Sequence, residues 1–201
     1  MVVYGIYYAL ALSAAGLLVG YLTQWPYGAP FYLLAAFCLY FFRDPERTIP
    51  DGPVAVSPAD GKVVAIKGLG SESTRISIFL NIFDVHVNRS PIGGRIADVS
   101  YRCGHFLAAN RDRASVENEQ NTITVDGDGT RVVFKQIAGL IARRIVCYKR
   151  QGDRVGLGER VGLIKFGSRV DVFFGSEWEI AVRTGERVRA GSSIVARRKQ
   201  E

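Results

Sequence analysis

Three short stretches carry the residue types from which covalent chemistry could be built. "SPADGKV" (57–63) contributes the carboxylate of Asp60, "FDVHVNRSP" (83–91) contributes His86, and "KFGSRVDV" (165–172) contributes the pair Gly167-Ser168. A carboxylate, an imidazole and a hydroxyl are the three parts of an activated nucleophile: an orienting group, a base and the attacking atom. Taken singly, each stretch has a plainer reading. Pro-x-Asp-Gly is a turn with Asp60 capping backbone amides. A lone histidine on a strand is a satisfied structural residue, and a Gly-Ser pair within "LIKFGSRVDVFF" (163–174) is a bulge in an otherwise alternating strand. The serine does not stand in a G-x-S-x-G elbow, so a conventional serine hydrolase is poorly supported. Only two histidines exist, His86 and His105, so imidazole chemistry has few places to reside.

The segments around these residues alternate with period two. "KVVAIKG", "RISIFL", "HVNRSPIGGRIADVSY", "NTITVDGDGTRVVFKQIAG" and "RRIVCYK" all read as strands, and "DGDG" (126–129) is a hairpin turn. The polar stretch "FLAANRDRASVENEQ" reads as a short helix or an ordered loop. An internal repeat is present: "QGDRVGLGERVG" begins at Gln151 and "TGERVRAGSSIV" at Thr184, 33 positions apart. Each copy is a glycine turn, a short strand and a second tight turn. This resembles the half-motifs of barrel-sandwich hybrid folds, as in biotinyl and lipoyl carrier domains, although no hairpin-tip lysine of a carrier stands between the copies. The expected fold is mainly β (a β-rich α+β class), with antiparallel sheets and barrel-sandwich-hybrid-like elements.

Charge is distributed unevenly. Residues 1–42 contain no Asp, Glu, Lys or Arg, so the net charge of +7 belongs to the remainder. "VVYGIYYALALSAAGLLVGYL" (2–22) approaches the ~20 apolar residues that cross a bilayer as a helix. Trp25 and Tyr27 in the following turn suit a membrane interface, and a shorter apolar run occupies 31–42. The start "MVVYG" lacks the basic n-region of a signal peptide, which favours a retained N-terminal hydrophobic helical hairpin; the second run is short enough that a re-entrant segment also fits. Arg43 and Arg47 beyond it favour a cytoplasmic body at the cell membrane. The expected organisation is an anchor over 1–42, a proline-marked linker over 43–57 and a catalytic domain over 58–201. Cys38, Cys103 and Cys147 are odd in number and lack metal-ligand spacing, which fits a reducing compartment without a disulfide framework.

In this order and over most of 50–201, "SPADGKV", "FDVHVNRSP" and "KFGSRVDV" resemble the short form of the phosphatidylserine decarboxylase family. The charge-free hairpin fits the same resemblance. It implies a proenzyme that cuts itself between Gly167 and Ser168 into a β chain (1–167) and an α chain (168–201), which stay together as partners. Ser168 would become a pyruvoyl group, a ketone that takes the serine amine of the lipid and acts as electron sink when carbon dioxide leaves. Glycine at 167 bares the carbonyl to be attacked. The resemblance assigns Asp60, His86 and Ser168 as the self-cleavage triad. It implies no metal, no pyridoxal phosphate and no nucleic-acid partner, with the membrane and a phospholipid substrate instead. Long forms carry a second histidine where this chain has Arg89, so His86 would serve both the cut and the turnover. Arg89 is the candidate contact to the lipid phosphate, and His105 is the spare imidazole. Archaetidylserine fits the same head-group chemistry. A membrane-tethered barrel-sandwich binding module is the non-enzymatic alternative, and a homo-oligomer is compatible with either.

Overall fold

The computed structural model describes residues 2–70, 73–104, 118–139, 144–165 and 168–199. His105 and nearly all of the polar stretch after it, together with Gly167, lie outside the described residues. The chain divides into two compact units, residues 1–46 and 47–201.

The first unit is a helical hairpin: α1 (Val3–Leu22), a 3-10 turn (Trp25–Gly28) and α2 (Ala29–Phe41). Neither helix contains an ionisable acid or base of the Asp, Glu, Lys or Arg type, and small residues let the helices approach. A Cβ on Gly5 would meet Phe42 at 2.6 Å, and one on Gly28 would meet the Gly16 carbonyl at 2.5 Å. The Val2 N–H donates to the Phe42 carbonyl at 3.0 Å, which closes the open end of the hairpin. Most of the apolar surface of α1 faces outward, Leu10, Leu17 and Leu22 among it. At 20 residues α1 is long and apolar enough to cross a membrane, whereas α2 has 13.

Among the described residues the second unit has fourteen short strands: β1 (Val54–Val56), β2 (Gly61–Gly68), β3 (Ser73–Leu80), β4 (Val87–Arg89), β5 (Gly94–Arg102), β6 (Gln120–Gly127), β7 (Thr130–Ala138), β8 (Arg144–Cys147), β9 (Arg154–Val155), β10 (Arg160–Lys165), β11 (Ser168–Gly175), β12 (Trp178–Ile180), β13 (Arg187–Val188) and β14 (Ile194–Arg198). They form a curled eight-stranded sheet in the order β13-β2-β3-β11-β7-β6-β5-β9 and two three-stranded sheets, β1-β14-β12 and β4-β10-β8. Each of these pairings is antiparallel. The mainly β, antiparallel expectation is met. The core is aliphatic, with Val63, Ile76, Ile78, Ile123, Val132, Phe134, Val170 and Val172 all fully buried.

The sequence repeat is the visible part of an approximate internal two-fold. Strand order in the large sheet reads the same from either edge, with β11 and β7 meeting in the middle. The relation is carried by specific hydrogen bonds. Gly152 N–H donates to Ile96 O as Gly185 N–H donates to Val63 O, each at 2.8 Å. Two bonds cross between the halves in matching fashion: Val56 N–H to Pro91 O at 2.9 Å and Arg89 N–H to Pro58 O at 3.0 Å. Hence "SPADG" (57–61) and "SPIGG" (90–94) are also copies, and each serine hydroxyl donates to the carbonyl two residues on, Ser57 to Ala59 at 2.6 Å and Ser90 to Ile92 at 2.7 Å.

The halves differ where it matters for the chemistry. In one, β6 turns into β7 through Asp128-Gly129, whose φ values of 48° and 71° give the primed turn that "DGDG" predicts. In the other, the equivalent strands β3 and β11 are not joined. The chain leaves at Leu80, builds the whole second half, and returns at Ser168, opposite Leu80. The stretch 163–174 is therefore not one interrupted strand: β10 ends at Lys165 in one sheet and β11 starts at Ser168 in another. The segment expected to be a linker likewise contributes β1, because Val54–Val56 pair with β14 and are buried.

Gly61 and Gly94 are copies of one requirement. At φ 150° and 157°, a Cβ would stand 2.2 Å from the carbonyls of Phe79 and Asp126. Gly94→Ala is expected to lower stability by at least ~1–3 kcal/mol, since strained backbone and a carbonyl clash add. Gly70→Ala, at φ 73° in open space, is expected to lose about 1 kcal/mol. Denaturant unfolding of the two variants checks the order.

Candidate active site

Ser168 opens β11, in the middle of the eight-stranded sheet, paired with Leu80 on one side and Ala138 on the other. Two strand partners and a buried position follow from the apolar alternation Val170, Val172, Phe174 behind it. Its hydroxyl is fully buried and has no hydrogen-bond partner among the described residues. A buried hydroxyl left without a partner costs free energy that neighbouring hydroxyls in the same sheet avoid. Ser77, for example, accepts from Arg169 at 2.8 Å.

His86 is 2% exposed and precedes β4. Its Nδ1 lies 2.9 Å from the carbonyl oxygen of Asp84. A carbonyl only accepts, so Nδ1 carries the proton and Nε2 of the neutral ring holds the lone pair that a base needs. The turn that supplies this carbonyl is tightly tied. Asn81 N–H donates to Asp84 Oδ2 at 2.9 Å, Phe83 N–H to Asn81 Oδ1 at 2.7 Å, and Arg187 Nη1 to Asp84 Oδ1 at 3.3 Å.

Asp60 has both oxygens engaged. Arg47 Nη2 donates to Oδ1 at 3.0 Å and Oδ2 at 2.8 Å, and Ala190 N–H donates to Oδ1 at 2.8 Å. Burial pushes the Asp60 carboxyl above its ordinary range, against the pull of the Ala190 N–H and the Arg47 guanidinium, while the Asp84 carboxylate pushes the same way as burial. The Nδ1 partner given to His86 by the fold is thus the Asp84 carbonyl, a role that the motif order alone suggests for Asp60.

Arg89, the expected contact to a lipid phosphate, is a buried residue with a main-chain partner. It is 5% exposed, its Nη1 donates to the Gly158 carbonyl at 3.0 Å, and its Cδ closes against Gly191. The side chain clamps the second turns of both repeat copies together, so its charge serves protein backbone inside the fold. Beside it, a chain of buried amides ties the sheet of Ser168 to the strand of His86. Asn121 Nδ2 donates to Gln136 Oε1 at 2.9 Å, and Gln136 Nε2 donates to Asn88 Oδ1 at 2.9 Å. Asn88 lies on β4 two residues from His86, and Gln136 on β7 two residues from Ala138, the partner of Ser168. These amides and Arg47 are absent from the motif reading. The signal was a polar residue at an inward position of an apolar strand, "VFKQIAG".

The internal two-fold relates the three motifs to one place. Under it Asp60 corresponds to Gly93, His86 to Pro53 and Ser168 to Thr130. Gly93, Pro53 and Thr130 all line a single cavity of about 200 Å³ at the Asp128-Gly129 turn. By the same relation, the region of the other half that matches this cavity is the one to which Asp60, His86 and Ser168 correspond, at the opened hairpin. Other cavity residues, Ile92, Leu157, Trp178 and Arg198, correspond to Ala59, Ala190, Ile145 and Ile164.

A buried serine at the return of an inserted half and a buried histidine with a fixed tautomer are the parts from which an activated nucleophile can be built. Comparison with known proteins is specific. The family model described as phosphatidylserine decarboxylase matches residues 34–196. A phosphatidylserine decarboxylase proenzyme of Solibacter usitatus (strain Ellin6076) is 68% identical over 194 residues, 96% of this chain and 95% of that protein. One of Syntrophus aciditrophicus (strain SB) is 46% identical over 198 residues, 94% of this chain and 93% of that protein. The chain belongs to the phosphatidylserine decarboxylase family.

Asn88→Ala would leave the Gln136 amide buried without its acceptor. It is expected to destabilise the body by about 1–3 kcal/mol, measured by urea unfolding. Gln136→Leu should cost at least as much, because it orphans both the Asn88 Oδ1 acceptor and the Asn121 Nδ2 donor, while Asn88 Nδ2 keeps its bond to the Pro58 carbonyl at 3.4 Å.

Proposed function

We propose that the chain is a phosphatidylserine decarboxylase proenzyme that cuts itself between Gly167 and Ser168 and converts phosphatidylserine to phosphatidylethanolamine and carbon dioxide. The observation that carries this reading is the Ser168 hydroxyl, buried and without a hydrogen-bond partner among the described residues, directly after a glycine. A catalytic hydroxyl differs from a structural one in being left available for a reaction.

The steps use the chain's own groups. His86 Nε2 takes the Ser168 hydroxyl proton, and Oγ attacks the Gly167 carbonyl. The Gly167–Ser168 amide bond breaks and an ester forms, leaving the Ser168 amine. Loss of the Ser168 Cα proton then expels the Gly167 carboxylate from Cβ, giving dehydroalanine. Water replaces the nitrogen, which leaves as ammonia, and a pyruvoyl group caps residue 169. Once formed, that group supplies the ketone that takes the substrate amine and accepts the electron pair released with carbon dioxide. The residues around it do the rest. Ala59, Ala190, Ile145 and Ile164 would keep water from a carbon that must be protonated only once, by His86. Walls of this kind favour loss of a carboxylate as neutral gas, because a charged carboxylate is costly to hold there. The apolar helix α1 supports membrane association, which suits a substrate whose acyl chains stay in a bilayer.

The test is denaturing mass spectrometry of the purified protein. Two pieces should replace the 22.1 kDa chain, the smaller covering 168–201 and beginning with a pyruvoyl group. Ser168→Ala and His86→Ala should remain whole and inactive. An uncut chain that decarboxylates phosphatidylserine would refute the reading.

A further inference from the structure

Arg47 stands in "RDPER", directly after the apolar hairpin, where its charge reads as a membrane-side topology signal. In the fold it belongs to the second unit, and its side chain is only 10% exposed against 13% for Asp60. One nitrogen, Nη2, spans both oxygens of the Asp60 carboxylate, at 3.0 and 2.8 Å. A surface arginine that merely faced lipid headgroups would hold its guanidinium in solvent. Here the guanidinium turns inward and is spent on one member of the proposed triad.

We propose that Arg47 is a positioning residue for self-cleavage: it keeps the Asp60 carboxylate ionised and oriented at the site. This rests on the reading of Asp60, His86 and Ser168 given above. The charged groups around Asp60 set the need. The Asp84 carboxylate faces it and repels its charge. Arg187, on β13, is held by Asp84 rather than by Asp60. The Ala190 N–H supplies one neutral hydrogen bond. Arg47 is therefore the cation that compensates a buried carboxylate beside a second acid, and an uncompensated carboxylate in such a place takes up a proton instead. A protonated Asp60 no longer helps to hold positive charge on His86 as His86 accepts the serine proton. The first charged segment after the membrane hairpin is thereby part of the processing machinery.

The test uses the full chain, made as uncut precursor in detergent-solubilised membranes, with self-cleavage followed on gels from pH 5 to pH 10. Asp60 ionises as pH rises. Removing the Arg47 charge raises its pKa further, so Arg47→Gln should move the acid limb of the cleavage profile upward. A displacement of one pH unit means roughly tenfold slower cleavage below the limb, with recovery toward the wild-type rate at high pH. Arg47→Lys should restore most of the profile. Arg43→Gln, which removes the neighbouring arginine that lies over the Tyr40 ring, should leave it unchanged. An Arg47→Gln precursor that is slower by the same factor at every pH, or whose limb does not move, overturns the proposal. So does an equal displacement in Arg43→Gln, which would make the effect one of general charge. If Arg47→Gln does not accumulate as folded protein, the limb of Arg47→Lys decides: a wild-type profile supports the charge, and a profile slowed alike at every pH overturns it. A wild-type precursor that never cuts refutes the self-cleavage reading itself and is distinguishable from all of these.

Discussion

The site depends on one constraint: Ser168 must be the first residue of a strand already paired on both sides. Eight residues of β11 pair with β3 and six pair with β7. That frame holds the backbone of the serine in place from both sides. On both sides the pairing of β11 begins at Ser168 itself. A bond cut at a strand's first residue costs the sheet little, whereas a cut in mid-strand would sever the ladder.

The internal two-fold explains how such a position arises. In the half closed by Asp128-Gly129, Thr130 is the first residue after a hairpin turn, and its hydroxyl is satisfied: it accepts from Trp178 Nε1 at 2.9 Å and donates to Glu177 Oε1 at 2.5 Å. Ser168 occupies the same place in the open half without those partners. A hairpin whose turn has been opened places its returning strand at the end of a long excursion. That excursion supplies β4, and with it His86, from the other three-stranded sheet. The chemistry is thus set at the junction between two sheets, tied across by Asn121, Gln136 and Asn88.

Much of this was legible in the sequence, and the part that was not has a physical reason. The alternating strands, the "DGDG" turn and the repeat at Gln151 and Thr184 were readable because they depend on local backbone preference. The second level of the repeat, "SPADG" against "SPIGG", was also in the sequence, but only the crossing bonds from Val56 and Arg89 show what it means. The break between Lys165 and Ser168 was hidden because two half-strands in different sheets alternate just as one strand does. The backbone partner of Arg89 was hidden for a related reason. An arginine near a candidate histidine reads as an anion site, and nothing local in the sequence shows that its guanidinium meets the carbonyl of a turn 69 residues later.

Asp60 shows why motif order identifies a site but not its wiring. Carboxylate, imidazole and hydroxyl suggest a relay in which the acid bonds the ring. In the fold the ring is oriented by a main-chain carbonyl, which cannot be protonated and so fixes the Nδ1–H tautomer at any pH at which the ring is neutral. An acid freed from that duty acts through its charge instead. In the proposed reaction it would stabilise the imidazolium formed when the serine proton moves, provided that it is itself ionised. Arg47, a cation from outside the three motifs, binds that carboxylate, so the proposed site takes in a fourth residue, from the segment that follows the apolar hairpin.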